Sequence, residues 1–179
     1  MCDIVANVDL VADWLHDKAC DWIACDYFRL MTRTASPAPL GVDDMLCFAA
    51  YSASLAFNRL YKPMLERMGL TYPQLLAMSL LWEQDDRTVG QIGERLFLET
   101  NTVTPLIKRL EAAGLVTRTR ARDDERVVRV RLTDAGRALA SEAGCLPEAV
   151  LDASGMTPEA LGEMTRALSG LRDRLRAAA

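Results

Sequence analysis

The sequence predicts a mainly helical fold carrying one small β-hairpin, and three observations lead there. Apolar residues recur at helical spacing over most of residues 43–114 and again over 134–177. Strict apolar/polar alternation is confined to "LVTRTRA" and "RVVRVRLT", which the charged turn "RDDE" joins as an antiparallel pair. With half of its 179 residues hydrophobic and 26% charged, the chain has material for one core-bearing domain, or a domain plus an appendage.

Residues 1–40 read as an N-terminal extension. "VDLVADWLHDKACDWIACDYFRLM" spaces its apolar residues nearly as a helix does, and the Pro/Ser/Ala run "TRTASPAP" ends it. Three readings of this head stand open: an amphipathic helix packed on the body or on a partner chain, a poorly ordered segment, or an early-assigned start, with Met31 or Met45 as later ones.

Residues 41–179 read as the main domain. "DDMLCFAAYSASLAFNRLYKPMLERMG" predicts a long helix over about 43–68 with an acidic first turn, a Gly stop, and a kink or interruption at Pro63. "TYPQLLAMSLLWEQD" predicts a shorter helix with Pro73 near its first turn. "TVGQIGERLFL" is a third, capped by Thr88, and "ETNTVTPLIKRLEAAG" a fourth, ended by Gly114. The hairpin follows, and helix restarts at the Thr133 cap. The last helix carries an apolar stripe through Leu161, Met164, Leu168, Leu171 and Leu175. Helices over about 43–68 and 134–177 are expected to dimerise, because their stripes exceed what the small unit over about 73–133 can cover.

Two short helices with a tight connection, followed by a basic hairpin, make a winged helix-turn-helix, which reads DNA through the start of its second helix. The net charge of −4 argues weakly against nucleic acid, but charge is unevenly placed. Lys108, Arg109, Arg118, Arg120, Arg122, Arg126, Arg129 and Arg131 face only Glu111, Asp123, Asp124 and Glu125 within their segment. Thr100, Asn101, Thr102 and Thr104 are short donors and acceptors suited to base edges or nearby phosphates. Lys108, further along, suits a phosphate, and Arg118 and Arg120 extend the basic surface onto the first hairpin strand. Arg126, just past the hairpin tip, suits a narrow minor groove where negative potential is focused, with Asp124 orienting its guanidinium through a bidentate pair. Taken alone, the charged turn reads as a solvated edge with surface ion pairs of little weight; directly after a helix-turn-helix pattern the wing is the favoured reading.

Other functions are disfavoured. No apolar run approaches the roughly 20 residues of a membrane span, and no basic region followed by an apolar core opens the chain, so a cytoplasmic protein is expected. Five cysteines at irregular spacings do not form a disulfide framework; reduced thiols are the expectation. Cys20 and Cys25 lack zinc-ligand spacing, His16 is the single histidine, and no Gly-rich phosphate loop occurs, so no metal or cofactor and no enzyme activity are expected.

Residues from about Leu46 to Leu139 resemble the MarR family of dimeric transcription regulators, most recognisably in "LIKRLEAAGLVTRTRARDDERVVRVRLTDAGRAL". "LCFAAYSASLAFNRLYKPMLERMGLTYPQLLAMSLLWE" and "IGERLFLETNTVTPLIKRLEAAGLV" are similar to its branch that senses organic hydroperoxides through cysteine, the OhrR-like regulators. The resemblance implies a homodimeric repressor on a palindromic double-stranded operator, released when an organic hydroperoxide oxidises a sensor cysteine. It maps that cysteine to Cys47 and its hydrogen-bonding tyrosines to Tyr51, Tyr61 and Tyr72. The chemistry suits the assignment: a thiolate attacks peroxide where a thiol hardly does, and phenolic hydroxyls and a helix N-terminus favour its charge. On spacing alone Cys47 is a small apolar helical residue. Cys145 is the one candidate for a resolving cysteine, but its setting, "EAGCLPEA", departs from the family position, which falls nearer Asp152. The alternatives are a regulator answering a small ligand with Cys47 inert, and, further off, a thiol peroxidase.

Overall fold

The computed structural model describes residues 41–120 and 126–178, and the chain divides into two units, residues 1–49 and 50–179. In the first unit a 3-10 turn spans Val42–Asp44, and helix α1 (Leu46–Met68) begins after it. The acidic residues expected in the helix's first turn, Asp43 and Asp44, belong to that 3-10 turn, so the helix starts three residues later than its pattern predicts. The residues of α1 from Ala50 onward lie in the second unit.

In the second unit α1 runs unbroken through Pro63, so of the kink or interruption expected there the interruption does not occur. Proline there removes one backbone donor. Burial of Leu65 and Met68 beyond it anchors the final turn. Helix α2 (Tyr72–Glu83) follows, opened by the Gln74 side chain accepting from the Thr71 N–H at 2.8 Å. It buries Leu75, Ala77, Met78, Leu80 and Leu81 and is apolar nearly all round, as a helix central to a core must be.

Strand β1 (Arg87–Thr88) leads directly into α3 (Val89–Leu96). The Thr88 hydroxyl accepts from the Gln91 N–H at 3.1 Å while the Gln91 amide oxygen takes the Thr88 N–H at 2.8 Å, a reciprocal cap that satisfies two end donors. Only Phe97, Leu98 and Glu99 separate α3 from α4 (Thr100–Ala112). Gly114, in the left-handed region at φ 73°, ends the turn after α4, with the Leu115 N–H bonded back to the Leu110 carbonyl at 3.0 Å.

Strands β2 (Val116–Arg120) and β3 (Val128–Leu132) pair antiparallel in the expected positions. The sheet has a third member that the sequence did not announce: β1 pairs with β3, giving the order β1-β3-β2. Two residues are too few to display alternation. The turn "RDDE" lies outside the described residues, and so does Asp124.

Helix α5 (Asp134–Ala138) restarts at Thr133, whose hydroxyl accepts from the Gly136 N–H at 3.0 Å. Gly136 sits so close to the Leu115 carbonyl that a Cβ would collide with it, and its own carbonyl accepts from Trp82 Nε1 at 2.9 Å, tying α5 to α2. Helices α6 (Ala140–Ala143), α7 (Leu146–Ser154) and α8 (Pro158–Ala177) follow. The core comes from α2, α3, α4 and the sheet, with Met78, Leu81, Ile92, Val103, Ile107, Leu110, Val116 and Val130 all but sealed from solvent. Leu65 and Met68 at the end of α1 and Leu146 of α7 join its edge.

Candidate nucleic-acid interface and thiol site

Helix α4 is built so that one face is buried and its N-terminal end is presented. Val103, Leu106, Ile107 and Leu110 point into the core. Thr100, Asn101 and Thr102 are consequently left exposed, and Thr104 half-buried. The Thr102 hydroxyl donates to Asn101 Oδ1 at 3.2 Å.

A cleft of about 330 Å³ lies between this end of α4, the start of α3 and the sheet, lined among others by Thr88, Gly90, Thr100, Thr104, Arg118 and Arg126. Four residues singled out in the sequence therefore meet in one place. Lys108 is exposed on α4 and Arg120 at the end of β2. Arg118 is engaged locally: its Nε donates to Glu111 Oε2 at 2.7 Å and its backbone N–H reaches the same carboxylate at 3.2 Å, fastening β2 to α4.

Sequence reasoning missed Thr88 and Gly90 as lining residues. It also missed the acidic pair Asp85–Asp86 ahead of β1. Asp86 accepts from Arg129 and Arg131, and Asp85 accepts from Arg137 Nη1 at 2.7 Å and from the Leu132 N–H at 2.9 Å. Hydrogen bonds from Arg131 and Arg129 hold the Asp86 carboxyl well below the usual carboxylate range. Asp85 is pushed up by burial and, more strongly in sum, down by the N–H groups of Leu132 and Asp86 and by Arg137, so it too ends below that range. Arg129 and Arg131 sit opposite Thr119 and Thr117 on β2, so their direct cross-strand neighbours carry no countercharge.

Cys47 is exposed in the first turn of α1. Tyr51, on the same helix in the second unit, is 60% exposed. Tyr61 and Tyr72, from α1 and α2, stack with ring centroids 5.8 Å apart, and Phe57 adds a tilted contact to Tyr61 at 6.0 Å. Burial, and then the neighbouring Tyr72, push the Tyr61 hydroxyl upward, so it remains a protonated donor through the neutral range. Cys145 is exposed before α7; its Sγ donates to the Glu142 carbonyl at 3.2 Å and lies 3.8 Å from Met64 Sδ. Among the described residues no cluster of His, Cys, Asp and Glu is placed to hold a metal ion, and no helix is long and apolar enough to cross a membrane.

The family of transcriptional regulators SarA/Rot matches residues 59–143. The chain is 45% identical to the HTH-type transcriptional regulator TtmR of Methylorubrum extorquens, over 84% of this chain and 77% of TtmR. It is 40% identical to the organic hydroperoxide resistance transcriptional regulator of Bacillus subtilis, over 75% of this chain and 91% of that protein. Among solved structures, reduced AbfR bound to DNA superposes with a TM-score of 0.64 at 34% identity, covering 76% of this chain and 93% of that one. The chain belongs to the MarR-like winged-helix transcriptional regulators of the SarA/Rot type.

Proposed function

We propose that the protein is a homodimeric repressor that binds a palindromic operator and lets go when Cys47 is oxidised by an organic hydroperoxide. The observation that carries the DNA-reading part is the cleft where Thr100 and Thr104 of α4 face Arg118 and Arg126 of the sheet region. Exposed α4 residues reach base edges in the major groove, Lys108 and Arg120 meet phosphates, and Arg126 enters the adjacent minor groove. Arg118, held by Glu111, contributes mainly by fixing the sheet against α4.

Pairing follows from helices left incomplete. Leu55 and Phe57 of α1 and Met164, Leu168 and Leu175 of α8 are exposed, and a second copy supplies the cover.

The redox part is supported by the exposure of Cys47 and by the likeness to the Bacillus subtilis regulator, whose name is organic hydroperoxide resistance. The Cys47 thiolate attacks one peroxide oxygen, the O–O bond breaks, and the alcohol leaves, giving a sulfenic acid. The hydrogen-bond donors proposed for the reduced sulfur are Tyr51, Tyr61 and Tyr72, and oxidation takes away the acceptor they serve. The Cys145 thiol then attacks the sulfenic sulfur, the S–O bond breaks and water leaves, giving a disulfide, or a small thiol caps the sulfur in the same way. The protein acts as a switch, not as a peroxidase with turnover. A gel shift on the DNA upstream of its own gene tests this: reduced protein should retard the fragment and organic hydroperoxide should abolish the shift. A shift insensitive to hydroperoxide leaves a winged-helix regulator with another input.

A further inference from the structure

If the sheet delivers Arg126 to DNA, something must fix the angle at which it does so. Strand β1 meets β3 over only two register pairs, Arg87 with Val130 and Thr88 with Arg129. Backbone pairing this short is a weak guide. Side chains add the rest: Arg129 Nε donates to Asp86 Oδ1 at 2.8 Å, Arg129 Nη2 to the Asp86 carbonyl at 2.7 Å, and Arg131 Nη2 to Asp86 Oδ2 at 3.0 Å. Asp86 thus grips two alternate residues of β3 with three of its oxygens.

Its backbone is left-handed, φ 61°, a conformation that disfavours most side chains and that Asp and Asn tolerate best. The groups are partly open to solvent, with Asp86 33% and the two arginines 39% and 55% exposed. Ion pairs this exposed add little to stability, but charge-assisted bonds of this geometry still specify position.

We propose that Asp86 is a positioning residue for DNA reading: by gripping Arg129 and Arg131 it locks β3 against the turn before β1, and so sets where Arg126, three residues before Arg129, meets the groove. The inference rests on the DNA-reading part of the proposed function. It predicts a separation that a merely structural role does not: recognition falls while the fold stands.

The test uses two duplexes of equal length, one selected by the wild-type protein from a random pool and one scrambled. Asp86→Asn keeps the size and tolerates the left-handed backbone but loses the charge. It should weaken binding to the selected duplex about tenfold, within the range of one good base contact. The scrambled duplex should be bound as before or more tightly, and the melting temperature should stay nearly unchanged. In an Arg126→Ala background the same substitution should have no further effect. Arg129→Lys, which keeps the charge but loses the planar fork, approaches the grip from its other side and should show the same loss of discrimination.

Undiminished discrimination in both variants, an equal loss on both duplexes, or a loss additive with Arg126→Ala overturns the inference and leaves the DNA reader intact. A wild-type protein that selects no sequence overturns the DNA reader and this inference together.

Discussion

Helices α4 and α8 are both amphipathic, yet they treat their apolar faces differently. α4 buries Val103, Leu106, Ile107 and Leu110 against α2, α3 and the sheet. α8 carries Met164, Leu168 and Leu175 at regular helical spacing and buries none of its residues. Its described link to the reader is made by its charged face: Arg172 and Arg176 each lie 4.5 Å from the centroid of the Phe97 ring at the end of α3. The reader therefore completes its core within one chain, whereas α8 keeps its stripe uncovered. In the proposed dimer, recognition is rigid because its parts are locked locally, and regulation has a place to act because the flanking helices are completed by the second copy.

The largest effect that would break this contrast is loss of α8. Truncation before Thr157 should abolish dimerisation and operator binding or cause aggregation, since it removes one of the two apolar faces through which the second copy is proposed to pair and leaves the exposed apolar surface of α1 without that partner. Analytical ultracentrifugation with a gel shift measures it. A soluble truncated monomer that still binds a full palindrome as tightly as the intact protein would show that the stripe is not an interface.

Next comes the reader's core. Ile107 is fully buried, so Ile107→Ala should cost about 2–5 kcal/mol of unfolding free energy, read by urea titration. The exposed Leu168→Ala should change the stability of the isolated chain far less and act mainly on dimer dissociation. Equal effects on unfolding would erase the distinction between the two helices.

A smaller effect belongs to the wing. Arg126→Ala should weaken operator binding by about 1–3 kcal/mol without altering the melting temperature. Titration of labelled operator checks it, and wild-type affinity would remove Arg126 from the interface.

The smallest effect concerns pH. Asp85 has a folded pKa below its unfolded value near 3.9, so its stabilising contribution is complete above about pH 5 and is lost as pH falls through the folded pKa. The difference in melting temperature between wild type and Asp85→Asn should be flat from about pH 5 to pH 8 and shrink below about pH 4. A difference that widens on acidification would contradict the pairing with Arg137 and the Leu132 N–H.

The sequence made most helices, their caps and the hairpin strands legible because each rests on local chemistry: Thr88 and Thr133 as caps, Gly114 as a stop, and alternation in β2 and β3; α7 (Leu146–Ser154) was not among them. Features that arise between distant segments were hidden. Strand β1 is two residues long and exists because β3 pairs with it. The grip of Asp86 on Arg129 and Arg131 spans more than forty residues of chain. Pro63 does not interrupt α1, whose last turn is held by burial of Leu65 and Met68. Of the candidate site, Thr100, Thr104, Arg118 and Arg126 were identifiable from the helix-turn-helix pattern and do line one cleft. The stacking of Tyr61 on Tyr72 needed the packing of α1 on α2 to become visible.

If oxidation at Cys47 empties the operator, the operator affinities of wild type and Cys47→Ser, measured before and after one equivalent of organic hydroperoxide, must part company. The substitution replaces one atom at an exposed position, so reduced binding should match wild type. After oxidant, wild type should release the DNA and Cys47→Ser should hold it. If Cys47→Ser lets go as the wild type does, the sensor lies elsewhere in the chain and the proposed switch is wrong.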